Sequence, residues 1–196
     1  MNRRAAIQRV SVLLGGSLLG ADSLLANNIN WDAMDDADYS KGIGIFSKGQ
    51  IKLMNEVADT ILPTTNTPGA KAAKVGQFIA VIVSDCYEAD EQKMFTAGLT
   101  ALDLNFKQRF GKSFMRGSKT QRHDYLVELD KAQKDLSQNK PNSELPAFFK
   151  TFKDLTLWGY FTSETGCTQA LRMVEIPGRY EGCTPYQKGE RAWGGY

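Results

Sequence analysis

Between Ser47 and Gly159 the apolar residues return every three or four positions. That spacing puts them on one side of a helix and leaves little of the alternation a half-buried strand needs. Ser47 and Gln50 form a capping box ahead of Ile51, Met54, Val57, Ala58 and Ile61, and Pro63 stops the helix. Thr64-Thr65-Asn66-Thr67-Pro68-Gly69 is a loop of residues that favour local backbone hydrogen bonds. Residues 70–87 form a second predicted helix with Phe78, Ile79, Ile82 and Cys86 inward, although the run 78–83 also suits a buried strand. Asp90 is the expected cap of a long third helix carrying Phe95, Leu99, Leu102, Phe106 and Phe110, which Gly111 ends. Ser118 and Gln121 repeat the capping box before Tyr125, Leu126, Leu129, Gln133 and Leu136, and Pro141 closes that segment. A fifth helix follows Ser143 with Phe148, Phe149, Phe152, Leu155 and Gly159. The predicted fold class is all-α: a compact helical bundle with an irregular C-terminal tail and an N-terminal twin-arginine leader.

The leader occupies residues 1–26. Arg3 and Arg4 stand side by side just ahead of a moderately apolar, glycine-containing run, the pattern read by the twin-arginine export route. Asp22 interrupts that run and keeps it short of the roughly 20 residues that cross a bilayer. Leu24 sits where a small residue is preferred for cleavage after Ala26, so a leader retained as a membrane anchor stays open. Periplasmic localisation, with or without membrane association, is the expectation. Residues 27–46 read as a polar, aspartate-rich linker with Trp31 and Tyr39 as its aromatic points, 47–158 as the bundle, and 159–196 as the last helix end and a partner-wrapping tail. The leader holds three of the 24 basic and one of the 22 acidic residues, so the rest of the chain is balanced and carries no nucleic-acid footprint.

Few side chains here are arranged for chemistry. No glycine-rich strand-to-helix turn for a dinucleotide and no P-loop occurs beyond the leader. A single histidine, His123, and the lack of any CxxC pair argue against metal, haem or iron–sulfur binding. Ser163, Glu164 and His123 lack a GxSxG elbow; the first two suit a helix end and the third a solvated face. A sugar-modifying enzyme using Glu164 with a second carboxylate is the remaining catalytic reading. Asp35, Asp36 and Asp38 lack the glycine and terminal glutamate of a calcium loop. No catalytic, cofactor-binding or metal-binding residue is therefore assigned. Among three cysteines, Cys167–Cys183 would close a short loop, whereas Cys86–Cys183 would staple the tail to the bundle and constrain the unfolded chain more. The tail interleaves arginine with aromatics, the composition of interface anchors, and marks Tyr160, Phe161, Arg179, Tyr180 and Trp193 as candidate partner contacts.

Several blocks together resemble the gluconate 2-dehydrogenase subunit 3 family. They are the Asn2-Arg3-Arg4 leader, Ala58-Asp59-Thr60-Ile61-Leu62-Pro63, Thr67-Pro68-Gly69-Ala70 and Asp85-Cys86-Tyr87. Gly159-Tyr160-Phe161-Thr162-Ser163-Glu164 and Pro177-Gly178-Arg179-Tyr180-Glu181-Gly182-Cys183 complete the set. The resemblance implies a non-catalytic small subunit of a periplasmic dehydrogenase that oxidises a sugar, sugar acid or glycoside, for instance at the sugar 3-position. It also implies an FAD-dependent large subunit of the glucose–methanol–choline type, a cytochrome c subunit or carrier as electron acceptor, and the twin-arginine translocase as an export partner. The small subunit would supply the export signal and support folding of the flavoprotein. The family form favours Cys86 and Cys183 as the disulfide pair, with Cys167 the odd thiol. The alternative reading is a free-standing export chaperone that binds the flavoprotein transiently.

Overall fold

The computed structural model describes residues 42–139, 144–174, 176, 178, 182–185 and 187–194. The expectations for the leader with Arg3 and Arg4, for most of the linker, and for Pro141, Ser143, Arg179 and Tyr180 lie outside the described residues. Five α-helices follow one another: α1 (Lys48–Ile61), α2 (Val75–Cys86), α3 (Ala89–Phe110), α4 (Lys119–Asn139) and α5 (Glu144–Phe161). A 3-10 turn (Phe114–Arg116) precedes α4, and a π-helical turn (Gly166–Ala170) follows α5. Extended pairing among the described residues is limited to two isolated bridges, Ile43 with Phe46 and Arg172 with Trp193. The all-α expectation holds for the described residues.

Each helix boundary has a local cause. At the start of α1 the Gln50 amide donates to Ser47 Oγ at 3.4 Å, and the Ser47 amide donates to Gln50 Oε1 at 2.9 Å. The second helix begins at Val75, five residues later than the sequence suggests. Lys74 adopts a left-handed conformation (φ 53°), which an α-helix does not continue through, and Ala70 N–H donates back to Leu62 O at 2.9 Å. Residues 78–83 are helical, which settles the helix-or-strand ambiguity. Glu88, not Asp90, caps α3: its side chain and Glu91 make the reciprocal box. Gly111 ends α3 in the left-handed region (φ 71°), as expected of a C-terminal glycine. Ser118 and Gln121 open α4 as predicted, with bonds of 3.1 and 3.2 Å.

α5 is the hub, touching all four other helices. Its inward stripe of Phe148, Phe149, Phe152, Leu155 and Tyr160 is buried. Phe95 of α3 meets the Phe148 ring edge-on at 5.0 Å and lies near-parallel to Phe152 at 6.1 Å. A second aromatic group forms around Phe106, with Phe110, Phe114 and Tyr125 at 4.6, 5.1 and 5.4 Å. Burying each such ring contributes about 2–3 kcal/mol. Tyr125 donates to Leu102 O at 3.3 Å, and burial pushes its phenol up to about 12.

One charged cluster ties α1 to α4 and to the 62–74 segment. Glu56 receives hydrogen bonds from Lys71 and Arg122, and the Arg122 guanidinium also lies over the Phe114 ring at 5.8 Å. Burial alone would raise the Glu56 carboxyl, but the bonds and charges of Lys71 and Arg122 outweigh it and hold the group below its ordinary value.

Candidate partner-docking surface

The C-terminal turn of α5 sorts its aromatic residues by helical phase. Tyr160 continues the inward stripe and is 4% exposed, whereas Trp158 at 53% and Phe161 at 39% face out. The Trp158 ring stands edge-on to Phe78 of α2, with centroids 5.3 Å apart and planes at 89°. Phe78 in turn lies against Gly159: a Cβ there would come within 2.5 Å of the Phe78 Cδ1. Val81 of α2 is also exposed.

Tyr160 was expected at the partner interface, and its position corrects that expectation. Its hydroxyl donates to Pro68 O at 2.6 Å, which fastens the Thr-Pro-Gly loop to the end of α5. A phenol with a partner 92 positions away in sequence is an internal staple. Phe161 and Trp193, the latter 54% exposed, are on the surface. Arg179 and Tyr180 lie outside the described residues.

The chain then turns onto the end of α5. Ser163 Oγ donates to Tyr160 O at 2.7 Å and accepts from the Gly166 amide at 3.0 Å, so the hydroxyl serves the helix end. The Glu164 carbonyl accepts from Thr168 Oγ1 at 2.7 Å, and the exposed His123 lies 3.4 Å from Asp124. After the π-turn, Arg172 N–H donates to Ala192 O and Gly194 N–H to Arg172 O, both at 2.8 Å. The Arg172 guanidinium lies over the Trp193 ring at 4.5 Å and pairs with Glu190 at 3.2 Å. Arg191 adds bonds to the carbonyls of Thr168 and Gln169 at 3.3 and 3.1 Å.

The cysteines differ from expectation. All three are free thiols, so the Cys86–Cys183 bridge is not formed. Cys86 was placed on the inward face of α2, yet it is exposed at the last residue of that helix, where the chain leaves the bundle. Cys183 is exposed in the tail, and Cys167 donates its thiol to Phe161 O at 3.1 Å.

A second apolar region runs along α3. A groove of about 570 Å³ between α3 and the start of α5 is lined by Met94, Ala97, Gly98, Leu145 and Phe148. A shallower one of about 750 Å³ lies against Ile45 and Leu104. Neither region was picked out from sequence, and neither was Trp158. The signal for Trp158 was present: Thr151, Asp154 and Trp158 share the polar stripe of α5, where a large aromatic is out of place. Among the described residues, no group of three His, Cys, Asp or Glu could hold a metal ion. No described helix is long and apolar enough to cross a membrane.

A family model described as gluconate 2-dehydrogenase subunit 3 matches residues 48–178. The chain belongs to the gluconate 2-dehydrogenase subunit 3 family. The matched span begins at the first residue of α1, takes in all five helices and the π-turn, and stops before Glu190 and Trp193. One side of the Arg172–Trp193 pairing is thus inside the family region and the other is outside it. Comparisons with curated proteins and with solved structures return no match. The family description names a subunit of a gluconate dehydrogenase, and a dehydrogenase is the partner it makes natural.

Proposed function

We propose that the chain is the non-catalytic small subunit of a periplasmic, flavin-dependent sugar or glycoside dehydrogenase. In this reading it carries a leaderless large subunit through the twin-arginine route and stabilises its fold. The FAD resides in the large subunit, and electrons leave through a cytochrome c subunit or carrier. The observation that carries the proposal is the family match across the whole bundle. The exposed aromatic end supports it: Trp158 and Phe161 on α5 and Trp193 on the tail are large rings on the surface, whereas the other described aromatic rings are buried or half-buried. Tryptophan on an exposed helix end is the kind of residue that dominates binding energy once a partner covers it.

The test is a pull-down of the tagged, leader-intact chain from its native periplasm, with an absorbance spectrum of the eluate. Co-elution of a larger protein with a flavin spectrum is the expected result. A colourless single chain would sink the stable-subunit reading and leave a transient export chaperone in its place. Replacing Arg3 and Arg4 together by Lys is expected to keep both proteins in the cytoplasm.

A further inference from the structure

α3 is apolar on both of its sides. Phe95, Leu99, Leu102 and Phe106 fill the core, yet Met94 at 68% exposure and Leu104 at 52% stand in water on the opposite side, with Ala97 between them. From Met94 to Phe106 the sequence holds one charged residue, Asp103, and its carboxylate turns aside to accept from the Phe114 amide at 2.7 Å. α4 shows the ordinary solvated pattern instead, turning His123, Asp124, Glu128 and Lys131 outward. Ile45, half exposed, is fixed beside α3 by the bond from its amide to Ser84 Oγ at 3.2 Å and by the neighbouring Phe46 ring, 5.9 Å from Phe95. The two grooves described above share Lys93, Ala97 and Ala101, so they form one continuous apolar face with α3 as its ridge. The charges of α3 sit at the two ends of this face and differ in sign. Asp90 and Glu91 lie in the first turn, where Lys93 is already held by Asp90 at 3.1 Å. Lys107 lies in the last turn, where Arg109 is already paired with Glu128.

We propose that this face binds a second copy of the chain, the two α3 helices running antiparallel about a twofold axis level with Leu99. In that arrangement Met94 of one copy meets Leu104 of the other, Ala97 meets Ala101, and the acidic first turn meets Lys107. A parallel pair would set like charges against each other at both ends. Both sides of a twofold contact are the same surface, so the partner's face is the one described here. Burying Met94 and Leu104 supplies the attraction, and the exposed end charges choose the direction. One helix from each copy makes a small interface, so the dimer is reversible and depends on concentration. Trp158 lies roughly 20 Å along α5 from Leu145 at the groove and stays open to another partner. The pairing is independent of the subunit reading.

Sedimentation equilibrium of the isolated full-length chain at low salt, from about 1 to about 100 μM, is the test. A monomer–dimer equilibrium is expected. Leu104→Asp is expected to weaken it at least about tenfold, with the unfolding midpoint of the dilute chain unchanged because the side chain faces water in a single copy. Lys107→Glu sets acid against acid at both ends of the pair and is expected to weaken it about fivefold. Adding Asp90→Lys to that variant is expected to restore the parent value, a rescue that damage to the fold would not give. A chain that stays monomeric throughout would overturn the proposal, and so would a dimer indifferent to Leu104→Asp. Weakening by Leu104→Asp without any effect of Lys107→Glu would overturn the antiparallel direction.

Discussion

Phe106 and Trp158 are both aromatic residues on long helices, and the fold sends them in opposite directions. Phe106 is enclosed by three other rings at 4.6 to 5.4 Å and has no contact with solvent. Trp158 leans one edge on Phe78 and leaves more than half of its surface in water. Residue type does not distinguish them; phase does. Phe106 follows Leu99 and Leu102 down the inward stripe of α3, while Trp158 continues the outward Thr151–Asp154 stripe of α5. The inner aromatics hold the bundle together, and the outer ones are available to hold something else.

Substitutions should pull these two roles apart. Phe106→Ala is expected to cost about 4 kcal/mol in urea or thermal unfolding, because the neighbouring rings cannot collapse into the space. Glu56→Gln should cost about 2 kcal/mol, since it removes charge-assisted bonds from Lys71 and Arg122. Its pH signature is also defined. The folded carboxyl lies below the ordinary value of 4.5, so its contribution is complete above the unfolded value and is lost as pH falls through the folded one. The Gln variant should therefore show a shallower loss of stability on acidification than the parent. Tyr160→Phe leaves the Pro68 carbonyl without its donor and is expected to cost about 1 kcal/mol, read by the same unfolding curves.

On the outer side the expectations invert. Trp158→Ala should change stability by under about 1 kcal/mol, yet lower flavoprotein retention about tenfold. A large loss of stability with retention unchanged would make Trp158 a core residue in disguise. Met94→Ala, in the α3 groove, should move stability by about 0.5 kcal/mol and leave retention unchanged if the α5 end is the docking face. Retention lost there and kept in Trp158→Ala would shift the docking face to α3.

What sequence reveals here is mostly what is local. The capping boxes at Ser47 and Ser118 and the stop at Gly111 depend on residues within a few positions of each other, and all three were readable. The start of α3 was misplaced by two residues because Glu88 is a less common cap than Asp90. The late start of α2 depends on Lys74 entering a conformation that nothing in the residue type announces. Tyr160 was misread for a different reason: its deciding bond spans 92 positions, and only the folded chain brings Pro68 to it. Phe161 and Trp193 lie on the surface, the position expected for the aromatics of an irregular glycine-rich tail. Trp158 was missed because the neighbouring phenylalanine stripe masked its phase. Cys86 was misplaced because it closes α2, where an inward-facing stripe no longer has a core to meet.

Gly159 gives the outer surface a dependence on an atom that is not there. Phe78 can approach the α5 backbone this closely only because position 159 has no side chain, and the Trp158 ring packs edge-on against Phe78. A single added methyl would lift the first ring and re-aim the second, altering the shape offered outward without changing any residue a partner could touch. Mutational drift at this interior glycine would therefore be felt first by whatever binds the outside, and a redesign of the docking face has to begin one layer beneath it.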